Sequence, residues 1–253
     1  MVRSAALDGA TGRILWDKGE TPGLERYWGP SVNLASVMDF DGDGNEDLVF
    51  TNPDYYCVAS GPTGDPLFGP LFPPDIFKQP SQGLYTFPAI LEEGEGPPTV
   101  CLVNGHYFQG AMSLHAAPRW HVLPPPGDNR TACEAFLRQS DGAWLMGFGR
   151  QNGNFACVNV SDGTVRWEMP VEASCSDPAV CDVDGDGAQE FVFGTSHGAL
   201  MAVGDDGGRP RVLWTVDTGA GAGAPVIADI TGDGKPEIVL PTTDGWIRVF
   251  GAE

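Results

Sequence analysis

The sequence predicts an all-β protein built as a β-propeller, and three observations lead to that fold class. The chain of 253 residues contains 35 Gly and 22 Pro, which interrupt it too often for amphipathic helices to develop. Short apolar segments alternate with turns along the whole chain. An acidic loop and a strand that ends in Trp both recur at a spacing of 47 residues. A period of about 40–50 residues with four short strands per unit is typical of propeller blades.

Three gapless copies of the acidic loop define the repeat, and they begin at Asp39, Asp182 and Asp229. The last two are 47 residues apart, and the first two are 143 apart, about three periods, so two degenerate copies lie between them. The strand-ending tryptophans at the same spacing are Trp120, Trp167 and Trp214. We therefore expect a single domain of five four-stranded blades, approximately at residues 31–72, 84–124, 131–170, 173–218 and 220–253 plus 1–20.

The last repeat contains three predicted strands and no strand that ends in Trp. The segment Gly12–Trp16 has the missing pattern, so we expect it to supply the fourth strand of the last blade and to close the ring. Residues Val2–Leu7 also have strand character, and a closed five-bladed ring has no place for them. The alternative is that the chain is a fragment of a seven- or eight-bladed propeller.

The charge of the chain excludes several classes of partner. Fourteen Lys and Arg against 34 Asp and Glu give a net charge of −20, which disfavours nucleic acid and anionic membrane surfaces. No run of about 18 apolar residues predicts a membrane span, and the first residues lack the apolar segment of a secretory signal. We expect a monomer. Most of the six cysteines lie in apolar strands, which favours buried thiols and leaves one or two disulfides open.

The acidic loops resemble the FG-GAP/VCBS repeats of integrin-like and bacterial surface propellers. The segments 6–16 and 160–167 resemble the blades of quinoproteins. The first resemblance implies calcium binding and an extracellular or periplasmic location. The second implies a quinone cofactor, but quinoprotein dehydrogenases need a larger ring and an axial ion site that this sequence does not reveal.

The loops offer oxygen ligands at the spacing that wraps a hard cation such as Ca²⁺. Side chains at loop positions 1, 3, 5 and 9 and a backbone carbonyl at position 7 would surround one ion. These positions are Asp39, Asp41, Asp43, Asn45 and Asp47 in the first loop, Asp182, Asp184, Asp186, Ala188 and Glu190 in the second, and Asp229, Thr231, Asp233, Lys235 and Glu237 in the third. We expect two to three structural Ca²⁺ ions, with weaker binding at the third loop. The alternative is a solvated acidic turn.

The turns between the second and third strands of the blades are predicted to meet at the opposite face, around the propeller axis. They carry amides, aromatic rings, imidazoles and a guanidinium, which suit a glycan or a protein ligand. The candidate ligand-binding residues are Asn52, Asp54, Tyr55, Asn104, His106, Tyr107, Arg150, Asn152, His197, Asp244 and Trp246. The alternative is ordinary hairpin chemistry, because tight turns favour Asn, Asp and Gly.

The sequence has no nucleophile elbow, zinc-protease motif or phosphate-binding loop, so we assign no catalytic residue and expect a non-catalytic binding protein. The alternative is a polysaccharide-active enzyme of the lyase type, or a piece of one. In that case His106, Arg150 and His197 at the same face would provide the base and the cation.

Overall fold

The structure is a computed structural model that describes residues 5–19, 34–52, 55–71, 89–91, 99–104, 108–113, 118–122, 134–150 and 152–251. All regular elements in these ranges are β-strands. The described residues contain no helix long and apolar enough to cross a bilayer. The chain divides into two compact units. The N-terminal unit comprises Met1–Asn104 and Phe108–His121, and the C-terminal unit comprises Gly105–Tyr107 and Val122–Glu253.

The N-terminal unit contains a two-stranded hairpin followed by two four-stranded sheets. The hairpin is formed by β1 (Ala5–Leu7) and β2 (Ile14–Asp17). The first sheet consists of β3 (Leu34–Met38), β4 (Asp47–Asn52), β5 (Tyr55–Ala59) and β6 (Pro66–Leu71). The second consists of β7 (Ala89–Leu91), β8 (Thr99–Asn104), β9 (Phe108–Ser113) and β10 (Pro118–Val122).

The C-terminal unit contains two four-stranded sheets and a sheet with three described strands. The first is β11 (Ala135–Arg138), β12 (Trp144–Gly149), β13 (Asn154–Asn159) and β14 (Val165–Pro170). The second is β15 (Ala179–Cys181), β16 (Glu190–Gly194), β17 (Ala199–Asp205) and β18 (Pro210–Asp217). The third is β19 (Val226–Ala228), β20 (Glu237–Pro241) and β21 (Ile247–Phe250).

In these sheets each strand pairs with its neighbour in sequence, so every sheet is a simple meander. Each of the five sheets lies within one of the predicted repeat segments, with its first strand preceding the acidic loop or its degenerate copy. The strand pairs are therefore formed between segments that are close in sequence.

The core of the C-terminal unit lies between stacked sheets. Strand β16 is buried on both sides, because successive side chains point to opposite faces. Phe191 and Phe193 pack on the β11–β14 sheet, where Phe193 stacks on Phe155 at a centroid distance of 4.3 Å. Val192, between them, packs on the β19–β21 sheet. Gly147 permits the close approach of the first two sheets, because a Cβ there would lie 2.6 Å from the ring of Phe191.

In the N-terminal unit the β1–β2 hairpin packs against the turn between β5 and β6. Trp16 donates its indole N–H to the carbonyl of Gly61 at 2.7 Å, and Lys18 pairs with Asp65 at 2.7 Å. Gly64 makes room for the indole, since a Cβ there would lie 2.8 Å from Trp16. The tryptophan of one repeat therefore docks on the next sheet.

Closure of the last sheet by Gly12–Trp16 is not found among the described strand pairs. Strand β2 pairs with β1, and the last sheet has β21 as its outermost described strand. The physical reason is local. Asp8 accepts hydrogen bonds from the backbone of Ala10 and Thr11 and holds the tight turn that brings β2 back onto β1. The strand character of Val2–Leu7 was the signal for this pairing.

Four described cysteines are free thiols. Cys101, Cys157 and Cys175 are buried and Cys181 is half-buried, which confirms the expectation of buried thiols for this group. Burial raises the pKa of both Cys175 and Cys181 to about 11. These thiols therefore behave as small apolar side chains at neutral pH. Cys133 and the side chain of Cys57 lie outside the described residues.

Candidate metal sites and ligand-binding turns

The first acidic loop connects β3 to β4 and is shaped by the carboxylate at its first position. Asp39 accepts the backbone N–H of Gly42 with one oxygen and that of Gly44 with the other, at 2.8 and 2.9 Å. Both glycines have positive φ, +79° and +85°, a conformation that a residue with Cβ rarely adopts. At the end of the loop, buried Asp47 accepts the N–H of Phe40 at 3.0 Å.

The other two loops repeat this arrangement. Asp182 accepts from Gly185 and Gly187 at 2.7 and 2.9 Å. Asp229 accepts from the corresponding glycines of the third loop at 2.6 and 2.8 Å. The acidic residues at position 9, Glu190 and Glu237, are buried and accept the N–H of the loop's second residue at 3.0 and 2.9 Å. The acids at positions 1 and 9 therefore hold the same backbone shape in all three repeats.

The first two loops each bring three carboxylates close together. Oxygens of Asp39, Asp41 and Asp43 all lie within 4.8 Å of one another, and one oxygen each of Asp182, Asp184 and Glu190 does the same. Oxygen ligands in such a cluster are those that Ca²⁺ prefers, so both donor sets fit that ion.

The third loop differs at its third position. Thr231 donates its hydroxyl to Glu237 at 3.3 Å, and in the described part of the chain the carboxylates of this loop do not form a cluster of three. Hydrogen bonds from Gly234 and Gly232 lower the pKa of Asp229, so its carboxylate is stabilised in the charged form without a cation.

The residues expected to offer a backbone carbonyl are placed at the turn of each loop. Asn45, Ala188 and Lys235 each donate their backbone N–H to the aspartate two residues before, at 2.8, 2.8 and 2.9 Å. These aspartates are Asp43, Asp186 and Asp233. The bond orders the centre of the loop in every repeat.

Sequence reasoning missed one residue of the second loop. The guanidinium of Arg211, in β18, lies against three of its carboxylates. Arg211 faces Gly204 across the β17–β18 pair, and a Cβ on Gly204 would lie 3.4 Å from the Glu190 side chain. The available signal was a basic residue in the outer strand of the same repeat, but its partner depends on the register of that strand.

Electrostatics in the second loop reflect this crowding. Burial raises the pKa of Glu190, and the nearby charges of Asp184 and Asp186 add to the rise, while the Val183 amide and Arg211 oppose it. Asp186 is exposed, and hydrogen bonds, first from the Ala188 amide and then from Arg211, lower its pKa. Burial therefore makes ionisation costly at Glu190.

At the other end of the C-terminal sheets, three turns between second and third strands are linked by the segments that join successive sheets. Gly153 accepts the N–H of Glu172, and Thr195 accepts that of Ala222, at 2.8 and 2.9 Å. Thr243 donates its N–H to Gly221 at 2.9 Å. The candidate residues Arg150, Asn152, His197, Asp244 and Trp246 all belong to these turns.

Two of these turns use their polar groups internally. Arg150 donates to Glu168 at 3.0 Å, and Asn154 donates to the same oxygen at 2.9 Å while its N–H bonds the side chain of Asn152. Burial opposes ionisation of Glu168, but these hydrogen bonds outweigh it and lower its pKa. Asp244 pairs with both terminal nitrogens of Arg248, which lowers its pKa.

The remaining candidates fall into two groups. His197 is exposed and the Trp246 side chain is 69% exposed, so both can reach a ligand. Asn52, Tyr55 and Asn104 lie at the ends of β4, β5 and β8, and their side chains lie outside the description. The candidates entirely outside the described residues are Asp54, His106 and Tyr107.

Residues 182–240 match the family model of the FG-GAP-like repeat. The match covers the second and third acidic loops and strands β16–β19, so the resemblance predicted from these loops is confirmed for this segment. No curated protein matches the sequence.

Solved structures show the fold. Sqt1 of Saccharomyces cerevisiae has a TM-score of 0.68 at 14% identity, with 98% of this chain and 65% of Sqt1 covered. A BBS1N structure, in complex with ARL6DN, has a TM-score of 0.61 at 11% identity, with 87% and 66% covered. Quinohemoprotein alcohol dehydrogenase from Comamonas testosteroni has 0.56 at 11%, with 85% and 40% covered. This chain thus spans about two thirds of the length of the first two proteins.

These likenesses define the class of protein. The described strands form successive antiparallel meanders, and the similar structures are β-propellers, which confirms the predicted fold class. The chain is a β-propeller protein, and its residues 182–240 match the FG-GAP-like repeat.

Proposed function

We propose that the protein is a non-catalytic β-propeller that is stabilised by Ca²⁺ at its acidic loops and binds a protein ligand at its polar turns. The observation that carries the metal part is the pair of carboxylate clusters, which stand on the same backbone frame in the first and second loops. Without a cation, carboxylates this close repel one another. A bound Ca²⁺ would offset that repulsion at Asp41 and Asp184, whose side chains lie at the solvent side of each loop.

Calcium titration and thermal melting test the metal part. We expect calcium to raise the melting temperature and EDTA to reverse the rise, because a ligand that binds only the folded state stabilises it by about 2.7 kcal/mol per site at a hundredfold excess over Kd. Asp184→Ala removes a charged ligand, whereas Thr231→Ala removes a neutral hydroxyl, so Asp184→Ala should weaken binding more. Absence of calcium heat together with an unchanged melt in EDTA would contradict the proposal, and Mg²⁺ serves as the control ion.

The ligand part rests on the exposed turns of the C-terminal unit. Trp246 presents a large exposed aromatic surface in one of these turns, and His197 is exposed in another. Aromatic residues are enriched where proteins meet. A similar propeller, BBS1N, was solved in complex with a protein, ARL6DN, which supports a protein ligand in general. The chain's charge of −20 favours a basic partner surface. An extracellular or periplasmic location, where free calcium is abundant, accords with this proposal.

Binding is tested with a displayed library of basic peptides and, in parallel, a glycan array. The proposal expects peptide ligands whose binding is lost in Trp246→Ala and in His197→Ala. Val165→Ala is the matched control, because Val165 is a comparably exposed apolar residue on β14, away from these turns. Binding to glycans alone would replace the protein ligand with a glycan. Turnover of an acidic polysaccharide would overturn the non-catalytic assignment.

A further inference from the structure

One nitrogen of Arg211 lies among the carboxylates of the second loop. Its Nη2 is 3.2 Å from Asp186 Oδ2, 3.4 Å from Glu190 Oε1 and 3.6 Å from Asp184 Oδ2. Asp184 and Glu190 also belong to the carboxylate cluster that fits a divalent cation. The arginine and the cation would therefore use two of the same side chains.

The first loop has no such arrangement among the described residues. Asp39, Asp41 and Asp43 form no ion pair with any described Lys or Arg. The β5–β6 turn lies at Asp47, which accepts the backbone N–H of Gly61 at 3.1 Å, and Lys18 pairs with Asp65 of this turn instead. The two four-carboxylate loops, which are equivalent in sequence, thus differ in the positive charge that their own chain supplies.

We propose that Arg211 is a resident counter-cation of the second loop, and that it competes with Ca²⁺ for Asp184 and Glu190. It follows that the second loop is stabilised without metal and binds calcium more weakly than the first. This inference rests on the calcium binding of the proposed function. It goes further, because it assigns a residue that sets the order in which the two loops fill.

The physical basis is charge exclusion at shared oxygens. A guanidinium and a divalent ion held by the same carboxylates would repel strongly at a separation of a few Å. The Arg211 side chain is 42% exposed, so it can leave the loop for water when an ion enters. We therefore expect Arg211 to compete with Ca²⁺ for these carboxylates and not to prevent calcium binding altogether.

The test uses the full chain with the first loop disabled by Asp41→Ala, so that calcium titration reports on the second. In that background, Arg211→Gln should raise calcium affinity about fivefold, the size of effect measured for exposed ion pairs. In EDTA the same variant should melt at a lower temperature, because the repulsion among its carboxylates is no longer offset. The two opposite changes distinguish competition from a merely structural role.

Arg209→Gln is the matched control. It removes the same charge two residues away, and Arg209 is exposed and forms no ion pair with the described residues. The control should change neither measurement to a comparable extent. Terbium luminescence sensitised by Trp214 gives a second readout, because Trp214 lines the same cavity as Asp182 and Asp184.

Unchanged or weaker calcium binding in Arg211→Gln would overturn the competition, and an unchanged melt in EDTA would overturn the counter-cation role. Failure of the proposed function has a different signature, in which the chain with both loops intact binds no calcium. The EDTA melt of Arg211→Gln still decides the counter-cation role in that case.

Discussion

Two junctions between sheets in the C-terminal unit each contain a tryptophan at the equivalent position of the repeat, Trp167 and Trp214. The two indoles differ in burial and in hydrogen bonding. At the junction of the β11–β14 and β15–β18 sheets, Trp167 is only 5% exposed, and its indole donates to Asp205 at 2.8 Å. At the next junction, Trp214 is half-buried and lines a cavity of about 740 Å³ together with Leu200 and Phe250. Equivalent positions in the repeat are therefore expected to contribute unequally to the free energy of unfolding.

The difference lies in what the following sheet offers to the indole. Asp205 ends the third strand of its sheet and also accepts two hydrogen bonds from Arg166, both at 2.7 Å. The residue 47 positions later is Ala252, which has no side-chain acceptor, and Leu213 takes the place of Arg166. The repeat keeps the tryptophan at the second junction but lacks the polar residues that fix it.

The largest expected effect is on the first junction. Trp167→Ala should lower the free energy of unfolding by about 3–5 kcal/mol, because it empties a packed site beside Phe155 and Phe191. Trp214→Ala should cost about 1–2 kcal/mol, since less apolar surface is buried there. Urea unfolding of the two variants measures the difference. Equal losses would show that the second junction is as tightly packed as the first.

Asp205→Asn should cost about 3 kcal/mol, because it leaves the Arg166 charge without its partner at a position where the carboxylate side chain is 4% exposed. Asp206→Asn, at the neighbouring exposed residue, is the control and should be nearly neutral. Thermal unfolding of both variants tests this. A double variant with Trp167→Phe should lose less than the sum of the single losses, because both changes disrupt the same network.

The same aspartate predicts a pH dependence. Burial opposes ionisation of Asp205, but hydrogen bonds from Arg166 and Trp167 outweigh it and lower its pKa. A carboxylate with a lowered folded-state pKa contributes stability above its unfolded pKa of about 3.9, and the contribution is lost as the pH falls through the folded-state value. The stability gap between wild type and Asp205→Asn should be constant above about pH 5 and shrink in acid. A gap that widens on acidification would contradict the assignment.

The smallest expected effect on stability concerns the backbone conformation of the segments that follow β14 and β18. Glu172 and Gly219 are 47 residues apart, and both have positive φ, +59° and +75°. Only glycine adopts this region without a steric cost, so Glu172→Gly should stabilise the protein by about 1 kcal/mol. Gly219→Glu, the converse change, should destabilise it by a similar amount. Melting temperatures that move in the same direction for both variants would show that the two positions are not equivalent.

The sequence predicted what depends on local pattern. The acidic loops, the strands around them and the order of strands in each sheet follow from a repeat in which neighbours in sequence pair. It did not predict contacts that depend on register or on distant partners. The placement of Arg211 depends on the register of the β17–β18 pair, and the pairing of β2 depends on whether its nearest strand or a remote one is available. The exposed turns could be located from sequence, but the pairing of Arg150 with Glu168 could not.

The division of labour within the acidic loops has an evolutionary consequence. The acids at positions 1 and 9 hold the backbone, while position 3 tolerates Thr231, whose loop keeps the same hydrogen-bond frame. A repeat can therefore lose a charged side chain at position 3 and still fold. Position 3 can therefore change in each repeat independently, without an intermediate sequence that fails to fold.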